Sequence, residues 1–137
     1  LNARHGLPHM HRAVMEGVIY SLKDCLNVLE EMGVKPSQML ATGGGGRSEL
    51  WRQMLADTFG CSVCTTQSKE GPALGVAILA GVGAGIYPSV REACDSMIHV
   101  GRTQEPIKEN QPLYAACYDQ YRQLYPAMKD AFKRLAR

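Results

Sequence analysis

Four consecutive glycines, Gly43 to Gly46, stand between the apolar run SQMLAT (residues 37–42) and a helix start at Ser48 and Glu49. Glycine loses the most backbone freedom on ordering and adds nothing to a core, so such a run needs a use. A tight turn that requires positive φ is served by one or two. The position suggests more, because ligands of open α/β sheets bind beyond the carboxyl ends of strands. Backbone bare of side chains lets a flat base, a ribose or a phosphate lie against it. N–H groups at the start of the following helix favour the anionic part of such a ligand.

Two common nucleotide motifs do not fit. A Walker A loop ends in Gly-Lys-Ser/Thr, whereas Gly46 is followed by Arg47 and Ser48. A G-x-G-x-x-G fingerprint counted from Gly43 puts Ser48 where its last glycine belongs, and residues 61–66 offer no acid for a ribose. The remaining candidates are weaker. Cys61 and Cys64 lie on a predicted strand, where positions i and i+3 face opposite sides, and no second pair completes a zinc site. His9 and His11 lack a third ligand. Asp24, Asp57, Asp95, Asp119 and Asp130 fall within helical patterns and read as solvated or capping residues. Tyr114, Tyr118, Tyr121 and Tyr125 read as packing residues whose hydroxyls reach water. No catalytic residue and no metal ligand is assigned.

The elements that would hold the glycines follow from periodicity. Val14, Val18, Leu22, Cys25, Leu29 and Met32 share one face of a helix over about 10–32, widened by Met15, Ile19 and Leu26. That face predicts burial against a sheet, with Gly33 as helix stop and Pro36 beyond it. Residues 37–42 and 61–66 read as short strands. Between them Leu50, Trp51, Met54, Leu55 and Phe59 form a helix closed by Gly60, with Ser48 as N-cap. Residues 71–87 start a helix at Pro72, with Leu74, Ile78 and Val82 as its ridge and Ala77, Gly81 and Gly85 as a small-residue strip. Ser89 and Glu92 form a capping box for the next helix. Residues 99–112 read as a loop, and 113–135 as a final helix bent at Pro126. Alternating helices and strands predict a parallel α/β sheet. Two strands, however, are too few to cover helices this apolar.

Composition bounds the rest. With 45% hydrophobic and 20% charged residues over 137 positions, the chain has the make-up of one soluble globular domain. A net charge of +2 gives no case for nucleic acid or a membrane surface. The basic tail (Lys129, Lys133, Arg134, Arg137) reads as a solvated helix end. Five cysteines without a secretory signal predict reduced thiols in a cytoplasm. The chain begins with Leu and lacks sheet strands, so it reads as part of something longer.

At this point the residues carry a resemblance. TGGGGRSELWRQMLADTFG followed by EGPALGVAILAGVGAGIY resembles the adenosine-binding segment and next helix of the FGGY family of carbohydrate kinases, above all its xylulokinase members. HMHRAVMEGVIYSLKDCLNVLEEMG is similar to the helix before that segment, and YDQYRQLYPAMKDAF to the family's C-terminal helix. The resemblance implies two actin-like, ribonuclease-H-like domains around a cleft, with sugar mainly on the first and ATP on the second. Residues 1–137 would be the later portion of that second domain, a single-domain α/β fragment of helices on a short parallel sheet. Gly43, Gly44 and Gly45 would then lie along the adenosine and α-phosphate, with Gly46, Ser48 and Glu49 bordering the nucleotide. Glu49 is the weakest of these, since a carboxylate facing a polyanion is repelled. Trp51 is expected in the core beside Leu55, and Gly71 to Gly75 are expected to be structural.

In the family, the catalytic aspartate and the phosphate-binding loops precede the matched segment. The resemblance therefore implies an ATP-dependent kinase acting on a sugar, a pentulose reached through a missing N-terminal domain. Mg²⁺ would be held by the phosphates and by parts outside this chain. The chain alone is expected to have no turnover. Two other readings are kept: a non-catalytic nucleotide-binding or assembly module of the same fold, and an NAD-type domain. If no further strands exist, a homodimer that covers the open sheet edge is expected.

Overall fold

Residues 1–67 and 71–136 are described by a computed structural model. Glu70 of the EGPALG stretch and Arg137 of the basic tail lie outside them. The elements are α1 (Leu7–Glu31), β1 (Gln38–Leu40), α2 (Gly43–Gly46), α3 (Glu49–Phe59), β2 (Ser62–Thr66), α4 (Gly71–Gly83), α5 (Val90–Met97), β3 (Val100–Gln104) and α6 (Gln111–Leu135). The expected order of helices and strands holds, with two additions. The glycines themselves form a helical turn, and the segment expected to be a loop contains β3.

The sheet runs β1-β2-β3. β1 pairs parallel with β2, in the register Gln38↔Ser62 to Leu40↔Cys64. β3 runs antiparallel to β2, with an irregularity between Cys64 and Thr66. The sheet is therefore mixed, not parallel throughout. β3 escaped the sequence reading because VGRTQ is almost entirely exposed and lacks apolar alternation. Its Gly101 permits close approach: a Cβ there would stand 2.7 Å from Thr65 Oγ1. That hydroxyl accepts from the Arg102 N–H at 3.0 Å, inside the irregular stretch.

The chain divides into two compact units. One comprises residues 36–53 and 61–105, which include the sheet, the glycines, α4 and α5; the other comprises Leu1–Lys35, Met54–Gly60 and the segment from Pro106 through α6. Helix ends follow backbone rules in both. Gly33 has φ of 88°, and the Val34 N–H reaches the Leu29 carbonyl at 2.9 Å, closing α1 in a Schellman motif. Gly85 at φ 73° closes α4 likewise, with the Ile86 N–H on the Gly81 carbonyl, so α4 is shorter than the sequence predicts. Gly60, also at φ 73°, ends α3 as expected. Ser89 Oγ caps α5 by accepting from the Glu92 N–H. Within α4 the small-residue strip is used once, where Gly81 receives the Tyr87 ring.

In the helical unit α1 starts at Leu7, ahead of the predicted Met10, because Pro8 suits a first helical turn. Its buried residues are Ile19, Tyr20 and Leu26; Val14 is 69% exposed and Val18, Leu22, Leu29 and Met32 are exposed as well. The predicted face is thus largely open. The helix is apolar on more than one side, and α6 takes only the side bearing Tyr20. That ring meets those of Tyr118 and Tyr121 at 5.9 and 5.5 Å between centroids.

The Tyr114 and Tyr118 hydroxyls are not left to water. Tyr114 accepts from Arg12 Nη2, while Tyr118 donates to Asp24 and accepts from Asn27 Nδ2. Burial, and then the carboxylate of Asp24, push the Tyr118 phenol up to about 12. Asp57, expected to be solvated or capping, is buried. Its Oδ1 accepts from the Ile107 N–H at 2.7 Å and its Oδ2 from Asn110 Nδ2 at 2.8 Å, fixing the approach to α6. Asp95, Asp119 and Asp130 are exposed as expected. Asp57→Ala, which leaves those donors without their acceptor, is expected to lower stability by about 2 kcal/mol. The midpoint of urea unfolding of the full-length protein measures it, and an unchanged midpoint would contradict the role.

Candidate functional site

The site begins where the parallel pair ends. The Ala41 N–H donates to the Cys64 carbonyl at 2.7 Å, carrying the β1–β2 ladder one residue further. Cys64 itself is buried with Gln38 Nε2 at 3.0 Å from its sulfur, so it is a packed thiol of the sheet. The chain then turns at Thr42, and Gly43 to Gly46 form one helical turn. The Arg47 and Ser48 N–H groups bond back to the Gly44 and Gly45 carbonyls. Ser48 Oγ accepts from the Trp51 N–H at 3.3 Å, as an N-cap for α3 should. The glycines are therefore a closed turn, tighter than an open loop feeding N–H groups to a ligand.

Each glycine has a different reason to be there. Gly43 has φ of 73°, which a side chain strains. A Cβ on Gly46 would stand 2.7 Å from the Ala41 carbonyl oxygen, a clash with backbone. On Gly45 it would stand 3.2 Å from the Trp51 indole nitrogen. Trp51, expected in the core, is half-buried and lies with its indole against that glycine. Gly44 has neither a positive φ nor any atom within 4 Å of where a Cβ would go. It is bare backbone facing open space.

A cavity of about 500 Å³ lies beside this turn, at the carboxyl ends of β1 and β2. Thr42, Thr65 and Gln67 line it from the strand ends, Gly43 and Gly46 from the turn, and Gly71 from the start of α4. Gly71, expected to be structural, thus borders the cavity; a Cβ on it would meet only ordinary contacts with Thr42. Three arginines complete the wall: Arg47, Arg52 and Arg102. Among the described residues no acidic residue lines it. Guanidinium groups of one sign around a concave, polar space attract an anion. Gly44, Gly45, Ser48 and Glu49 do not line the cavity.

The arginines escaped the sequence reading for separate reasons. Arg102 sits on the strand taken for loop. Arg52 lies three and four residues before Leu55 and Ala56, both buried, so a charged residue on the apolar side of α3 was the available signal. It is 1% exposed. Among the described residues no cluster of three or more His, Cys, Asp or Glu could hold a metal ion. No helix of the described residues is long and apolar enough to cross a membrane.

Comparison with known proteins bears on the fold. Residues 1–84 match the C-terminal domain of the FGGY family of carbohydrate kinases. The xylulose kinase of Bacillus subtilis is 32% identical over 130 residues, covering 95% of this chain and 26% of its own length. Among solved structures, a ligand-bound xylulose kinase from Lactobacillus acidophilus superposes with a TM-score of 0.89 at 25% identity, covering 98% of this chain and 27% of that one. A gluconate kinase from the same organism superposes at 0.88, also at 25% identity, with the same two coverages. The chain spans about a quarter of the length of these relatives.

The glycine assignments separate two variants. Gly46→Ala is expected to lower stability by about 2 kcal/mol, because backbone cannot retreat from the new methyl. Gly44→Ala is expected to hold or raise stability by up to about 1 kcal/mol through helix propensity. Chemical denaturation of the full-length variants measures both. Equal stability of Gly46→Ala and the parent would refute the close approach.

Proposed function

The chain belongs to the FGGY family of carbohydrate kinases, and on that basis we propose that it is the nucleotide-side portion of an ATP-dependent sugar kinase of the xylulokinase kind. The observation that carries this reading is the arginine-walled cavity at the ends of β1 and β2, beside a glycine turn with one residue of open backbone. In this reading the phosphates of ATP occupy the cavity near Arg47 and Arg102, and the adenosine passes over Gly44. Gly43 and Gly46 shape the wall, Gly45 carries the Trp51 indole behind it, and Ser48 and Glu49 stay at its border as the start of α3.

Phosphoryl transfer needs a group to position the attacking hydroxyl, and metal-held phosphates. Among the described residues the cavity lining contains no carboxylate to bind magnesium. Mg²⁺ then arrives with the nucleotide or is held elsewhere in the longer protein, as is the sugar. A cytoplasmic homodimer belongs to the same reading, with the exposed Val14, Val18 and Leu22 as apolar surface available for burial. Full-length protein incubated with ATP, Mg²⁺ and a panel of pentuloses and sugar acids is expected to yield ADP and a sugar phosphate, with a pentulose preferred. Residues 1–137 alone are expected to yield none. Failure of the full-length protein on every sugar would overturn the proposal.

A further inference from the structure

We infer that Arg52 is a positioning residue for nucleotide binding, clamping the glycine turn to the end of β3; the inference rests on the proposed ATP site. Arg52 Nη1 donates to the Gly46 carbonyl at 2.7 Å, and Nε donates to Gln104 Oε1 at 2.6 Å. Gln104 is the last residue of β3 and pairs with Val63 of β2. Gly46 is the glycine that a side chain would drive into the Ala41 backbone at the end of β1. One guanidinium therefore joins the turn to one edge strand, while the turn packs directly on the other.

The side chain is 1% exposed, and its Nη2 has no acceptor among the described residues. Neither ion pair found among those residues involves it. A buried cation without a carboxylate is costly, and apolar packing of similar volume is the cheaper solution where only stability is at stake. Two features offset that cost here. The forked donor geometry holds two acceptors at fixed separation, which a lysine cannot do. The Arg52 charge, which meets no carboxylate among the described residues, also borders the cavity that Arg47 and Arg102 line, where an anion would be attracted. Arg52 acts through the turn and through its field.

The test uses full-length protein carrying Arg52→Lys and, separately, Gln104→Met, each checked for folding by circular dichroism. The KM for ATP is expected to rise about tenfold in Arg52→Lys, the equivalent of one charge-assisted hydrogen bond. Gln104→Met, which removes only one acceptor, is expected to show a smaller rise in the same direction. In both, kcat and the KM for the sugar should stay within about twofold, a split that general loss of structure does not produce. If Arg52→Lys fails to fold, Gln104→Met decides alone. An unchanged KM for ATP in a folded variant overturns the clamp, as does an equal rise for ATP and sugar. Direct ATP titration of the parent protein separates the two proposals: no binding there sinks the ATP site and the clamp with it, whereas normal binding by parent and Arg52→Lys alike sinks only the clamp.

Discussion

No side chain fits between Gly46 and the Ala41 carbonyl, and the site is built on that close approach. Because the turn folds directly onto the strand end, its four residues form a helical turn and leave a cavity where β1 and β2 stop. The approach also fixes where the Gly46 carbonyl points, and the Arg52 guanidinium meets it there. A longer loop could present glycines to a ligand. It could not hold them at the ångström scale on which positioning affects binding and rate.

The chemistry of the wall follows from what surrounds the turn. Arg52 meets no acidic partner among the described residues, and its near-complete burial makes that costly. Arg47 and Arg102, both exposed, line the same cavity. The helical unit shows the opposite arrangement. Asp57 and Asp24 each accept from donors distant in sequence, and their role is to fix the approach to α6 and the α1–α6 tyrosine packing. Carboxylates thus serve structure in one unit, while cations line the cavity of the other.

The sequence reading located what depends on local backbone. Helix stops at Gly33 and Gly60, the Ser48 and Ser89 caps and both parallel strands were readable because φ, capping and short apolar runs are encoded within a few residues. It missed what depends on partners. β3 has no apolar alternation of its own and exists through pairing with β2 and the small size of Gly101. The Tyr118 hydroxyl was read as reaching water and Asp57 as solvated or capping, because their partners, Asp24, Asn27, Ile107 and Asn110, lie far along the chain. The face of α1 centred on Val14 and Val18 was read as buried because hydrophobic period tells which residues share a face, not what covers it. Four glycines in a row were read as a ligand-facing loop, but their separate duties required neighbours to be seen: one for φ, two for contacts, one for open space.

The central claim is that the open backbone at Gly44 and the arginine-walled cavity beside it receive ATP. A crystal structure of the full-length protein with a non-hydrolysable ATP analogue and Mg²⁺ tests it most directly. The account predicts adenosine against residues 43–45 and phosphate oxygens within hydrogen-bond reach of Arg47 or Arg102. A nucleotide bound elsewhere, with this cavity filled only by solvent, would contradict it.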